Sequence, residues 1–266
     1  MKLSRLPAFF ALVVAASAPH RLAAQVGYDP AHSPYRDILH GNGWTVTYGR
    51  VYGSGGPLRV SPNSGASIGV RYDVRFSRLL QGFVGVSRLG LQREILNRDD
   101  SLVHRYTGPV DQNVWAPEMG MQLNLSGAKS WRGVAPFASV SIGAAIGSSV
   151  ASDTSGLVFG TKLLFSPSLG VRYYLGERLH VRAEGQLLYW KMKYPSTWTL
   201  EPAKQPSQSG QPTTAPVANV TGLNDWTHTP GLRFGIGYSF GPRGRGAGGG
   251  ASRPMPPSRR SPSGWT

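Results

Sequence analysis

The chain has 266 residues, a formal charge of +15, 35 glycines, 21 prolines and no cysteine, and only 15% of its residues are charged. The lack of cysteine excludes a disulfide scaffold and a cysteine-based zinc site, and a mean hydropathy of −0.22 is too polar for a bundle of membrane helices. What remains is an all-β composition, rich in turn residues and in Gly, Ser, Thr, Tyr and Val, in one large domain or two small ones.

Lys2 and Arg5 precede an apolar run over 6–18, and Leu22-Ala23-Ala24 offers a small-residue cleavage site before Gln25. This tripartite order predicts a secretory signal peptide over 1–24, with an apolar run too short to span a bilayer. Residues 25–41, with Pro30, Pro34 and Gly41, show no sustained period and read as a lead-in.

Alternation then takes over. Trp44, Val46 and Tyr48 begin a strand at about 43–52. Over 66–76, Ala66, Ile68, Val70, Tyr72, Val74 and Phe76 share one face, and Ser67, Gly69, Arg71, Asp73 and Arg75 share the other, because side chains alternate across a strand. Residues 82–94 form a strand of mixed faces. At 115–125, Trp115, Met119, Met121, Leu123 and Leu125 oppose Glu118, Gly120, Gln122 and Asn124; at 134–147, Pro136, Ala138, Val140 and Ile142 alternate with Phe137, Ser139, Ser141 and Gly143. At 163–173, Leu163, Phe165, Leu169, Val171 and Tyr173 oppose Ser166, Ser168, Gly170 and Arg172; at 179–189, Leu179, Val181, Ala183, Leu187 and Tyr189 oppose His180, Arg182, Glu184 and Gln186. Leu232, Phe234, Ile236, Tyr238 and Phe240 close the series against Arg233, Gly235, Gly237 and Ser239. The eight strands are joined by short turns near 78–81, 126–133 and 176–177 and by longer connections over 53–64, 97–111, 148–157 and 195–226. This is the short–long alternation of periplasmic turns and external loops in a membrane barrel.

The expected fold is therefore an eight-stranded antiparallel up-and-down transmembrane β-barrel over 42–240, with both strand-series ends on the periplasmic side. Its polar face mixes small residues with Arg71, Asp73, Arg75, Glu118, Arg172, Arg182, Glu184 and Arg233, which suits a narrow interior where opposite charges pair. Aromatic residues recur near strand ends (Tyr72, Phe76, Trp115, Tyr173, Tyr189, Trp190, Trp226, Tyr238 and Phe240), the pattern of an interfacial girdle. An apolar face turned inward instead would give a soluble lipocalin-like barrel holding an apolar ligand.

The segment Gly231–Phe240 resembles the closing strand of outer-membrane proteins, and with 170–176 and 179–185 it makes the chain resemble the outer-membrane β-barrel domain family, the OmpA-like and OmpW-like small barrels. The resemblance implies an outer-membrane location in a Gram-negative-type envelope, with Tyr238 and Phe240 as the closing signal read by the barrel-assembly machinery. The 26 residues that follow Phe240 depart from the family's usual ending. Residues 241–266 carry Arg243, Arg245, Arg253, Arg259 and Arg260 and no acid, and their Gly/Pro/Ser/Arg composition predicts a disordered basic tail.

No catalytic or metal-binding constellation emerges. The glycines at 53–56 and 244–250 lack the strand-to-helix setting of a phosphate loop. The six histidines (20, 32, 40, 104, 180 and 228) have no paired ligand spacing, and His228 with scattered loop Ser, Asp and Glu does not make a triad. The expectation is a non-enzymatic barrel without cofactor, most simply a monomer, in contact with outer-membrane lipid and lipopolysaccharide and not with nucleic acid. A structural, adhesive or envelope-contact role is expected, with limited small-solute passage open; an outer-membrane lipid-modifying enzyme is the remaining class.

Overall fold

The computed structural model describes residues 33–53, 55–97, 104–153, 155–199 and 223–241. The expected signal peptide and the basic tail beyond Gly241 lie outside them. The strands are β1 (Tyr35–Asp37), β2 (Asn42–Val51), β3 (Gly65–Arg75), β4 (Leu80–Leu96), β5 (Tyr106–Asn124), β6 (Lys129–Trp131), β7 (Val134–Gly147), β8 (Thr161–Tyr174), β9 (Leu179–Lys193) and β10 (Asn224–Phe240). β2-β3-β4-β5-β7-β8-β9-β10 follow one another antiparallel around the sheet, and β10 pairs back on β2 from Gly231↔Val51 to Phe240↔Asn42. Closure removes both edges of the eight-strand ring, which is the only way a sheet satisfies its backbone in lipid.

The exterior is apolar. Val46, Ile68, Val70, Val84, Met119, Ile142, Leu169, Val181, Phe234 and Ile236 all stand exposed on the outer wall, with Leu169 at 66% and Ile236 at 65%. The facing positions Thr45, Ser67, Arg71, Asp73, Gln122, Ser168, Arg172, Arg182, Glu184 and Arg233 are buried in the lumen. A lipocalin-like arrangement would reverse these two sets, so the chain is a transmembrane β-barrel of the outer-membrane type. Trp44, Tyr72 and Phe240 cluster at its lower, short-turn end, with ring centroids 4.7 and 6.2 Å apart along the series.

Several sequence-based boundaries change. β4, β5, β9 and β10 reach beyond the apolar belt, so the connections 97–111 and 195–226 begin or end as strand: β5 starts at Tyr106 and β10 at Asn224. The turn expected near 78–81 occupies 76–79, and Gln81 is a buried residue of β4. Trp190, read as a girdle residue, points into the lumen and is fully buried.

The lead-in is also structured where described. β1 pairs with β6, a three-residue strand inside the β5–β7 turn. The chain then passes beneath the lower mouth to the foot of β2. Arg75 shares the inward face of β3 but is only half-buried. Its Nη1 and Nη2 donate to the carbonyls of Ile38 and His40, both at 2.9 Å, and Gln81 Nε2 donates to Gly41 O at 3.1 Å. The His40 ring lies 3.0 Å from Gly241 O and joins the strap to the end of β10.

Candidate functional site

The lumen is filled at two heights. The lower level is a charged belt. Arg71 and Asp73 stand two residues apart on β3, so both point inward and pair at 2.8 Å. Arg182 and Glu184 do the same on β9 at 2.9 Å. Longer side chains reach across the barrel: Arg172 on β8 meets Asp73 at 3.4 Å, and Arg233 on β10 meets Glu118 on β5 at 3.1 Å and Glu184 at 3.4 Å. Ser141 Oγ donates to Glu118 Oε2 at 2.7 Å, and Ser168 Oγ donates to Glu184 Oε1. Glu118, Glu184 and Asp73 are thus each held by guanidinium partners, the condition under which buried charges are tolerated.

At the centre lies Gln122 of β5. Its Oε1 accepts from Arg71 Nη2 (2.9 Å), Arg172 Nη2 (2.9 Å) and Arg182 Nη1 (3.0 Å). Its Nε2 donates to Gln81 Oε1 (3.1 Å) and Asn124 Oδ1 (2.7 Å), and Gln81 Oε1 also accepts from Arg172 Nη1 at 2.9 Å. Two inward aromatic rings seat the guanidiniums: Arg71 lies 3.4 Å from the Phe83 centroid and Arg182 lies 4.0 Å from that of Phe137, within cation–π range. Gly120 and Gly170 make room for those rings, since a Cβ at either position would strike the Phe83 or Phe137 ring and a neighbouring backbone carbonyl.

The upper level is apolar. Val51, Leu89, Leu91, Val114, Ala116, Leu164, Leu188, Trp190 and Met192 project inward from the upper halves of the strands. Val60, Leu157, Phe159, Tyr194 and Trp198 fold over them from the loops. Trp190 packs edge-on to Phe159, with centroids 6.1 Å apart, and its indole N–H donates to Ser61 Oγ at 3.4 Å. This plug, Gln122, Gln81, Phe83 and Phe137 were not singled out from the sequence. The inward run Leu188, Trp190, Met192 continuing the face of Arg182, Glu184 and Gln186 was the available signal.

The loop above the plug is tied down by Arg93, whose Nη2 lies 2.5 Å from Asp153 Oδ2 with both side chains buried. Burial pushes the Asp153 carboxyl up, but hydrogen bonds from Ser155 and from Arg93 outweigh it and hold the group below the ordinary carboxylate value. A carboxyl depressed in the folded state contributes stability that is complete above its unfolded pKa and is lost as pH falls through its folded pKa. The gap in unfolding midpoint between the natural protein and Asp153→Asn is therefore expected to be widest at neutral pH and to close below the ordinary carboxylate range. A gap of constant size would count against this tie.

Among the described residues no group of three or more His, Asp or Glu side chains is placed to hold a metal ion, and no helix is long and apolar enough to cross a membrane. His180 lies in the lumen, 3.3 Å from Ser239 Oγ and beside Tyr174. His228 stands on the outer wall against Tyr189. At the lower edge, Tyr238 receives a hydrogen bond from Arg178 Nη1 at 2.9 Å, and Phe240 stacks near Tyr72.

No protein-family model matches the chain, and no curated protein sequence matches it. Among solved structures it is similar to the outer membrane protein OprG from Pseudomonas aeruginosa, at 12% identity over 77% of this chain and 98% of that one, with a TM-score of 0.48. It is similar also to Neisserial surface protein A, at 13% identity over 78% and 98% of the two chains, with a TM-score of 0.45. A third is the N-terminal β-barrel domain of Pseudomonas aeruginosa OprF, at 12% identity over 76% and 99%, with a TM-score of 0.41.

Proposed function

We propose that the protein is a closed, structural barrel of the outer membrane that works by envelope contact and not as a pore. One observation carries this reading: ion pairs cross the lumen along two diameters. Asp73 of β3 meets Arg172 of β8, and Glu118 of β5 meets Arg233 of β10. Each pair joins strands four places apart in a ring of eight. An eight-stranded barrel is just wide enough for its side chains to fill, and here they meet in the middle. A solute would have to part buried ion pairs and then displace the apolar plug above them. Contact with the surrounding envelope falls to the exterior. Arg50, Arg88, Lys191 and Lys193 stand exposed at the upper rim of the apolar belt, where they suit the anionic headgroups of outer-membrane lipid and lipopolysaccharide. Tyr238 and Phe240, at the lower end of the seam strand, suit a closing signal for assembly machinery. The test is planar-bilayer recording of refolded protein. The baseline of the bare bilayer is expected, and reproducible unitary steps would overturn the closed-barrel reading.

A further inference from the structure

The charged belt is out of balance in two independent respects. The first is charge. Apart from Arg75, which is half-buried at the lower mouth and bonded to the carbonyls of Ile38 and His40, four buried guanidiniums, those of Arg71, Arg172, Arg182 and Arg233, face three carboxylates, those of Asp73, Glu118 and Glu184. In a medium that screens poorly, one uncompensated cation is costly, and an arginine does not relieve the cost by losing its proton.

The second is hydrogen bonding. Arg71 Nη1, Arg172 Nε, Arg182 Nη2 and Arg233 Nε are buried without a partner in the chain, whereas no carboxylate oxygen of the belt is so placed. The surplus is in donors, and it is concentrated. Three of the four arginines converge on a single uncharged atom, Gln122 Oε1, each within 3.0 Å. An amide oxygen offers two lone pairs, so the third donor is poorly served, and three mutually repelling cations are gathered about a partial charge.

We propose that the cluster of Arg71, Arg172 and Arg182 beside Gln122 is a binding site for one small monovalent inorganic anion of the halide class. Such an ion takes the donors left unpaired on Arg71, Arg172 and Arg182 and offsets the one excess charge of the buried belt. Size and charge both select it. The side chains that cross the lumen at this height leave no path for an organic acid, so only a small ion can reach the guanidiniums, and a doubly charged oxyanion would overshoot the single missing charge. In this arrangement Gln122 is the neutral member of an otherwise ionic cluster, holding three guanidiniums at a spacing that a carboxylate in its place would neutralise.

The experiment compares thermal unfolding of the full refolded barrel in chloride and in gluconate, at constant ionic strength. The natural protein is expected to show a midpoint that rises by a few degrees and saturates as chloride replaces gluconate, because a ligand bound only by the folded state stabilises it. Gln122→Glu places the missing charge inside the cluster. It is expected to raise the midpoint in gluconate and to abolish the chloride dependence. Equal midpoints of the natural protein in the two salts would overturn the proposal, and so would a chloride response of the same size in Gln122→Glu, which would mark a general salt effect. Should that variant fail to fold, the chloride NMR linewidth over the natural protein decides. Excess broadening that bromide removes and gluconate does not is the expected result; no excess broadening refutes the site.

Discussion

Replacing Glu184 with alanine is expected to cost about 3–5 kcal/mol of unfolding free energy, the scale for removing one partner of a buried ion pair. Glu184 Oε2 accepts from Arg182 Nε at 2.9 Å, and its Oε1 receives Arg233 Nη2 at 3.4 Å as well as the Ser168 hydroxyl. Without it, Arg182 keeps only its bond to Gln122 and its contact with Phe137, and Arg233 keeps only Glu118. The loss arises from two guanidiniums left in the lumen with less counter-charge, more than from the bonds removed. The double variant Arg182→Met/Glu184→Met, which removes the pair together, is therefore expected to be more stable than Glu184→Ala alone. Urea unfolding of the proteins in lipid vesicles gives both values. A double variant less stable than the single one would show that the pair contributes through its geometry and not through balance of charge.

Replacing Trp190 with alanine is expected to cost a similar amount, about 3–5 kcal/mol, for a different reason. The side chain is fully buried among Phe159 and the apolar residues of the upper lumen. Its removal leaves a cavity that rigid strand walls cannot close. It also removes the indole bond to Ser61, so the 53–64 loop loses an anchor. The charged belt lies below and is untouched. The variant is thus expected to unfold at lower urea and to expose its upper loops to protease sooner, while remaining non-conducting in planar bilayers. Conductance appearing in Trp190→Ala would mean that the plug, and not the belt, closes the barrel.

The legibility of the fold follows from where polarity keeps its phase. In β3 the outward face is apolar and the inward face polar along nearly the whole strand, so Val70 and Arg71 could be assigned from alternation alone. β4 crosses a boundary. Below Ser87 it shows Val84 and Val86 to lipid, while above it shows Arg88 and Gln92 to water and turns Leu89 and Leu91 into the plug. The apolar residues change face midway, although the backbone keeps its register there. A reading that assumes one greasy face finds only mixed faces in 82–94. The same inversion carried Trp190 into the lumen. β1 and β6 are three residues each, too short to show a period at all. The charged interior residues could be named from their faces, but not their partners. Asp73 and Arg172 are 99 residues apart in the chain, and their meeting depends on ring closure. Gln122 looked like any polar-face residue until three strands brought an arginine to it.

The seam between β10 and β2 has one more consequence. Ten register pairs join these strands, ending at Phe240↔Asn42, and the His40 ring beside Gly241 O extends the junction by one contact. The seam is paired like the other junctions of the ring. The barrel therefore has a cyclic order of strands but no privileged first strand. A short linker from Phe240 to Asn42, with the chain opened instead ahead of Asp153 in the 148–160 loop, would produce a circular permutant with the same ring and the same belt, without the strap over 33–41, and with its ends on the opposite side of the membrane.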